Sequence, residues 1–200
     1  IGFDVGIGHV PIVPAACLFD LTVGDPRCRP DAKMGYAACV DSENNRPQSG
    51  NFGAGTGATV GKFMEMERAM KSGLGTYALQ IGDLKVGAVV AVNSLGDIYD
   101  VDTGEQIAGM LTEDGKKLDN TRFHMWKDIG RQKDVFSGNT TIGCVVTNGK
   151  LTKDQCAKLA SMCHDGYASA IKPVHSSADG DTIFFLSGGE VEVNADALGD

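Results

Sequence analysis

Residues 137 to 149, SGNTTIGCVVTNG, place two threonines directly behind a Gly-Asn pair and at the head of an apolar strand. Gly138 and Asn139 tolerate backbone geometries that other residues resist, so this junction can hold strain and sets the Thr140 hydroxyl at the mouth of a strand. A threonine hydroxyl does not attack an amide unaided. One remedy is for the threonine to be a chain terminus, its own free α-amine serving as the general base. That amine has an unperturbed pKa of about 7.7 to 8.0, so a useful fraction is neutral at physiological pH. The chain break this requires can come from Thr140 attacking the Asn139 carbonyl. Two other readings stand beside it: Asn139-Thr140-Thr141 is also an N-x-[ST] glycosylation acceptor, and two threonines can simply begin a strand.

An N-terminal threonine needs acceptors to hold its ammonium and orient its hydroxyl, and SSADGDTIFF (176 to 185) offers Asp179 and Asp181. In an extended stretch residues two apart share a side, which would aim both carboxylates at one site. The alternative is a solvated Asp-Gly-Asp turn. Other candidates are weaker. GAGTGATVGK (53 to 62) lacks the glycine at 56 and the hydroxyl at 63 of a phosphate-binding loop. Met64, Met66 and Met70 read as packing residues, and His124, His164 and His175 have no metal-ligand spacing between them.

The elements that must position these residues alternate in type. IVPAACLFDL (12 to 21) reads as a buried strand or short helix, and PDAKMGYAACVDSEN (30 to 44) as a helix opened by Pro30 and Asp31. ATVGKF, TYALQIGDLKVGAVVAVNSLGDIYD and TTIGCVVTN supply β-branched runs cut by Gly-Asp and Asn-Gly turns, and TIFFLSGG (182 to 189) is a last strand. LTKDQCAKLASMCHDGYASAI (151 to 171) has a capping box at Thr152 and Gln155, with Cys156, Leu159, Cys163, Tyr167 and Ile171 on one face. Residues 109 to 138 are polar and weakly periodic, the expected place for a mobile or cleavable segment.

Composition bounds the function. Two hundred residues with 42% apolar content suit one domain of mixed α/β type. Eighteen basic against 26 acidic residues leave a net charge of -8, which disfavours nucleic acid as a partner. No run of 18 apolar residues exists, so no membrane span is expected. The six cysteines form no C-x-x-C pair and are expected to be buried free thiols in a reducing compartment. A chain that begins at Ile1 without methionine is expected to be a piece of a longer protein, and the lack of a signal peptide carries no weight.

The stretches IGFDVGIGHVPIVPAACLFDL, GNFGAGTGATVGK, VVAVNSLGDIYD, SGNTTIGCVVTNGKLTKDQCAKLA and HDGYASAIKPVHSSADGDTIFFLSGG, in this order, resemble the N-terminal-nucleophile peptidases called L-aminopeptidase/D-esterases. That group includes β-aminopeptidases and nylon-oligomer endohydrolases. The likeness covers nearly the whole chain, and the combination of GNTT, N-x-x-G-D and DGDT-F is specific. It implies a four-layer αββα sandwich that cuts itself between Asn139 and Thr140. Residues 1–139 would be an α portion incomplete at its N-terminus and 140–200 a β portion, together one domain. The nylon-hydrolase pattern implies Lys62, Asn93, Thr140, Asp179 and Asp181 as the catalytic set, without cofactor or metal. In that set Asn93 would donate to the tetrahedral oxyanion and Lys62 would add positive charge. Where β-aminopeptidases carry Ser and Glu, this chain has Asp179 and Asp181, which sets it nearer the threonine-type members. A peptide or oligoamide substrate, a homo-oligomer such as a tetramer of α/β heterodimers, and a cytoplasmic location complete the expectation. Acetyl transfer to an amino acid and a non-catalytic α/β module remain the alternatives.

Overall fold

The computed structural model describes residues 2–44, 46–130 and 138–199. In chain order its strands are β1 (Phe3–Asp4), β2 (His9–Val10), β3 (Thr59–Val60), β4 (Met70–Lys71), β5 (Leu74–Ile81), β6 (Leu84–Asn93), β7 (Asp97–Tyr99), β8 (Gln106–Ala108), β9 (Thr140–Lys150), β10 (Ile171–Lys172) and β11 (Thr182–Glu192). The helices are α1 (Ala32–Asp41), α2 (Thr121–Lys127), α3 (Lys153–Ala170) and α4 (Ala195–Gly199).

The main sheet has the order β11-β9-β6-β5. Strands β5 and β6 form a hairpin turning at Gly82-Asp83, where Gly82 takes φ 58°, a conformation that suits glycine. Strand β6 then pairs antiparallel with β9, from Val86 opposite Thr147 to Asn93 opposite Thr140. Strands β9 and β11 are parallel. A parallel pair needs a crossover, and α3 supplies it. The helix opens with Thr152 and Gln155 bonding each other's backbone reciprocally, as the sequence motif requires. Its residues Leu159 and Tyr167 are buried, as is Ile171 just past its end. Tyr167 seats on the sheet where Gly143 has no side chain, since a Cβ there would collide with the tyrosine hydroxyl. This is one α layer on one β layer of a mixed α/β fold. On the sheet's other face, which also carries Thr140 and Asn93, Val89, Val146 and Leu186 are exposed.

A smaller sheet, β10-β7-β8, is organised by one carboxylate. Asp97 is fully buried and accepts from Met110 N–H at 2.9 Å, Thr121 N–H at 2.7 Å and Thr121 Oγ1 at 2.7 Å. Burial pushes its pKa up, and the three donors act in the opposite direction. Asp97 thus starts α2 from a distance, while Asn120 caps the same helix by accepting from Phe123 N–H.

Several expectations are corrected here. Residues 12 to 21 form neither strand nor helix, and Ile12 and Val13 are exposed because no described element packs on them. The 109 to 138 stretch contains α2 and a bridge between Leu111 and Leu118, since its polar residues serve as caps and turns; residues 131–137 lie outside the described part. Asn148-Gly149 is not a turn. Strand β9 continues through it, and Asn148 instead accepts from Lys85 N–H and donates to Asp83 O, bracing the β5–β6 turn. Cys17, Cys28 and Cys39 are free but exposed, while Cys144, Cys156 and Cys163 are half-buried. By contrast, α1 forms with Asp31 as its cap, accepting from Met34 N–H at 2.8 Å.

Replacing Asp97 by Ala strands three buried donors, each costing about 1 kcal/mol or more. The expected loss is about 3 kcal/mol or more, read as a lower urea midpoint at unchanged slope.

Candidate active site

The sheet register brings the site together. Asn93 ends β6, Thr140 opens β9, and the two are direct partners on one face. Immediately before Thr140, Asn139 forms a parallel bridge to Asp179, so the turn carrying the two aspartates is stitched to the same strand end. The bridge puts Gly180 N–H on the Asn139 carbonyl at 2.8 Å. Thr140 Oγ1 donates to the same carbonyl oxygen at 2.5 Å. A Cβ at Gly180 would stand 3.0 Å from Thr140 Oγ1, so a glycine is what lets this backbone come so close. The strain expected at the junction is not at Asn139: among the described residues the one non-glycine with positive φ is His175, at 54°.

Lys62 follows β3 and is held against the end of β6 by its own N–H, which donates to Leu95 O. Its ammonium donates to Asn93 O at 2.9 Å, Asn93 Oδ1 at 2.8 Å and Gly138 O at 3.5 Å. Three acceptors match three ammonium protons; a neutral amine has only two. Burial nonetheless lowers the Lys62 pKa to about 8, with the Asp179 carboxylate opposing that drop. Asn93 is fully occupied as well. Its Oδ1 also accepts from Thr59 N–H, and its Nδ2 donates to Phe19 O and Gly138 O, each at 3.1 Å. The expected Asn93 donor is therefore on a carbonyl oxygen, but on that of Gly138, one residue before the Asn139–Thr140 bond.

The two aspartates have separate duties. Asp179 accepts from Leu95 N–H at 3.1 Å and from Ser176 Oγ at 2.5 Å. Asp181 accepts from Thr141 N–H at 2.8 Å and from His175 Nδ1 at 2.8 Å. With its side chain only 4% exposed, Asp181 does not belong to a solvated turn. All five residues singled out in the sequence thus converge on one strand end. The described hydrogen bonds of the two carboxylates come from Leu95, Ser176, Thr141 and His175, and not from the Thr140 hydroxyl.

His175, Ser176 and the Gly180 amide are not found by reading the sequence for metal spacing and paired carboxylates. The available signal was a histidine and a serine a few residues ahead of Asp179 and Asp181 in one short loop. No group of three or more His, Cys, Asp or Glu among the described residues is arranged to hold a metal ion.

The model of peptidase family S58 matches residues 5–198. The chain belongs to peptidase family S58. An uncharacterized aminopeptidase of Mycobacterium leprae is 37% identical over 198 residues, covering 95% of this chain and 53% of that protein. A 6-aminohexanoate-oligomer endohydrolase of Paenarthrobacter ureafaciens is 28% identical over 209 residues, or 97% of this chain and 58% of the other. The chain therefore spans little more than half the length of these relatives. Among solved structures, the L-aminopeptidase D-Ala-esterase/amidase of Ochrobactrum anthropi aligns with 72% of this chain and 33% of its own, at 19% identity and a TM-score of 0.46. The resemblance read from the sequence holds at the level of the family.

The ammonium geometry yields a direct test. Lys62 should titrate near pH 8 by NMR of its side-chain carbon, and Asp179→Asn should move that midpoint to lower pH, because an anion that favours the charged form has been removed. An unmoved midpoint would dissociate the two groups.

Proposed function

We propose that this S58 chain is a self-cleaving amide hydrolase in which Thr140 first cuts the Asn139–Thr140 bond and then acts as an N-terminal nucleophile. Its substrates would be amino-terminal residues of peptides or short oligoamides. One observation carries the reading: both carbonyls ahead of Thr140 are already held by donors, Gly138 O by Asn93 and Lys62, and Asn139 O by Gly180 N–H.

In the first step Thr140 Oγ1 bonds to the Asn139 carbonyl carbon, and the resulting oxyanion lies on the Gly180 N–H. The C–N bond then breaks, the hydroxyl proton ends on the departing nitrogen, and an ester links Asn139 to Oγ1. Water hydrolyses the ester, leaving an Asn139 carboxylate and a free Thr140 amine. Departure of Gly138 and Asn139 frees the donors on Asn93, Lys62 and Gly180 for a substrate carbonyl. The new amine serves as base for the hydroxyl in each later acyl transfer. Asp179 and Asp181 are assigned to orient that amine and the segment behind it.

The two pieces would remain one body, because β9 stays paired with β6 along Val86–Asn93. Assembly as a tetramer of such α/β pairs, and a cytoplasmic location, belong to the same reading. Among the described residues no helix is long and apolar enough to cross a membrane.

Intact-mass measurement and terminal sequencing under denaturing conditions should find a fragment beginning Thr140-Thr141-Ile142. Thr140→Ala should fold and remain one chain, inactive toward amide substrates. A single wild-type chain after long incubation would favour the non-catalytic module, and a cut Thr140→Ala chain would point to an external protease.

A further inference from the structure

Asp181 links the nucleophile's strand to a residue outside the set discussed so far. Its Oδ1 accepts the amide of Thr141, the residue directly behind Thr140. Its Oδ2 is taken twice by His175, through the backbone N–H at 3.3 Å and ring Nδ1 at 2.8 Å. A carboxylate offers only acceptors, so Nδ1 carries the proton in this contact.

The placement of His175 is demanding. Its φ of 54° is in the left-handed region, where non-glycine residues are uncommon. Its ring meets the His164 ring edge-on, centroids 4.8 Å apart, and lies 6.4 Å from the Tyr167 ring. Both of those rings belong to α3, so the crossover helix sets the histidine's orientation. The His175 side chain is 37% exposed while that of Asp181 is 4% exposed. The buried carboxylate is therefore anchored from the solvent side by a ring that is itself braced.

We propose that His175 is a positioning residue for the Thr140 nucleophile, acting through Asp181. By holding Oδ2 it fixes the carboxylate rotamer that keeps Oδ1 on the Thr141 amide, and so fixes the start of β9. His175 reaches Thr140 only through this chain of contacts. The inference rests on Thr140 being the nucleophile.

The test compares two substitutions in the full-length protein that both suit a positive φ. His175→Gly removes the ring, and His175→Asn keeps a side-chain N–H donor close to the place of Nδ1. The readouts are the rate at which the fragment beginning at Thr140 appears, and kcat and KM for alanine p-nitroanilide. Loss of one hydrogen bond to a charged group should slow cleavage and kcat roughly 10- to 100-fold in His175→Gly, with KM within about twofold. His175→Asn should recover to within about threefold of wild type. Wild-type rates in His175→Gly, or an Asn variant as slow as the Gly variant, would overturn the proposal. A wild-type protein that neither cuts itself nor hydrolyses the probe would sink the nucleophile reading and this inference together, whereas a competent wild type with an indifferent His175→Gly sinks only the inference.

Discussion

A buried ammonium must be surrounded by acceptors, and the arrangement around Thr140 follows from how Lys62 meets that demand. Its three bonds go to Asn93 O, Asn93 Oδ1 and Gly138 O, which belong to the end of β6 and to the residue two before the start of β9. Losing all of them would leave the charge buried without acceptors, which is far costlier than never having placed it there. Three segments distant in sequence are thereby tied at one point: the loop after β3, the end of β6 and the entry to β9. Asn93 extends the knot to Phe19 and Thr59. The cation also needs a counter-charge nearby, and Asp179 supplies it.

How the aspartates arrive there is a matter of topology. Because β9 and β11 run parallel, the chain must leave the sheet along α3 and return, and the return loop is the one that carries His175, Ser176, Asp179 and Asp181. That loop ends at the start of β11, where Thr182 pairs with Ile142, two residues into β9. The loop's last residues are therefore pinned beside Thr140 by sheet register, and the Asn139–Asp179 bridge continues the ladder past its formal end. Tyr167 and His164 on α3 then brace the loop from the helix side.

Legibility in the sequence followed the range of each interaction. Local signals were readable: the Thr152–Gln155 capping box, the Asp31 cap and the β-branched runs of β5, β6 and β9 each act within a few residues. Asn148-Gly149 misled because a pair suited to a tight turn was put to use across strands, bonding Lys85 and Asp83 more than sixty residues away. Helix α2 was missed for a similar reason, since half of what starts it is the remote carboxylate of Asp97. Within the site, the five side chains could be nominated by residue type and family likeness, but their partners could not. Gly180 contributes a backbone N–H, which no residue type announces, and His175 matters through a contact that only the fold creates.

On the proposed reading, the division of labour between the aspartates bears on how one site would serve both self-cleavage and turnover. In the uncut chain Thr140 has no free amine, so a carboxylate aimed only at an ammonium would have nothing to hold and would sit buried and unpaired. Asp179 and Asp181 avoid that state by gripping backbone amides, Leu95 N–H and Thr141 N–H, that exist before and after any cut. Each carboxylate has its second oxygen on a residue of the return loop, Ser176 or His175. On that reading a change from peptide bond to amine would leave the Leu95 and Thr141 amides on their carboxylates, while Gly138 and Asn139 would withdraw as acceptors and release the donors that face the strand end.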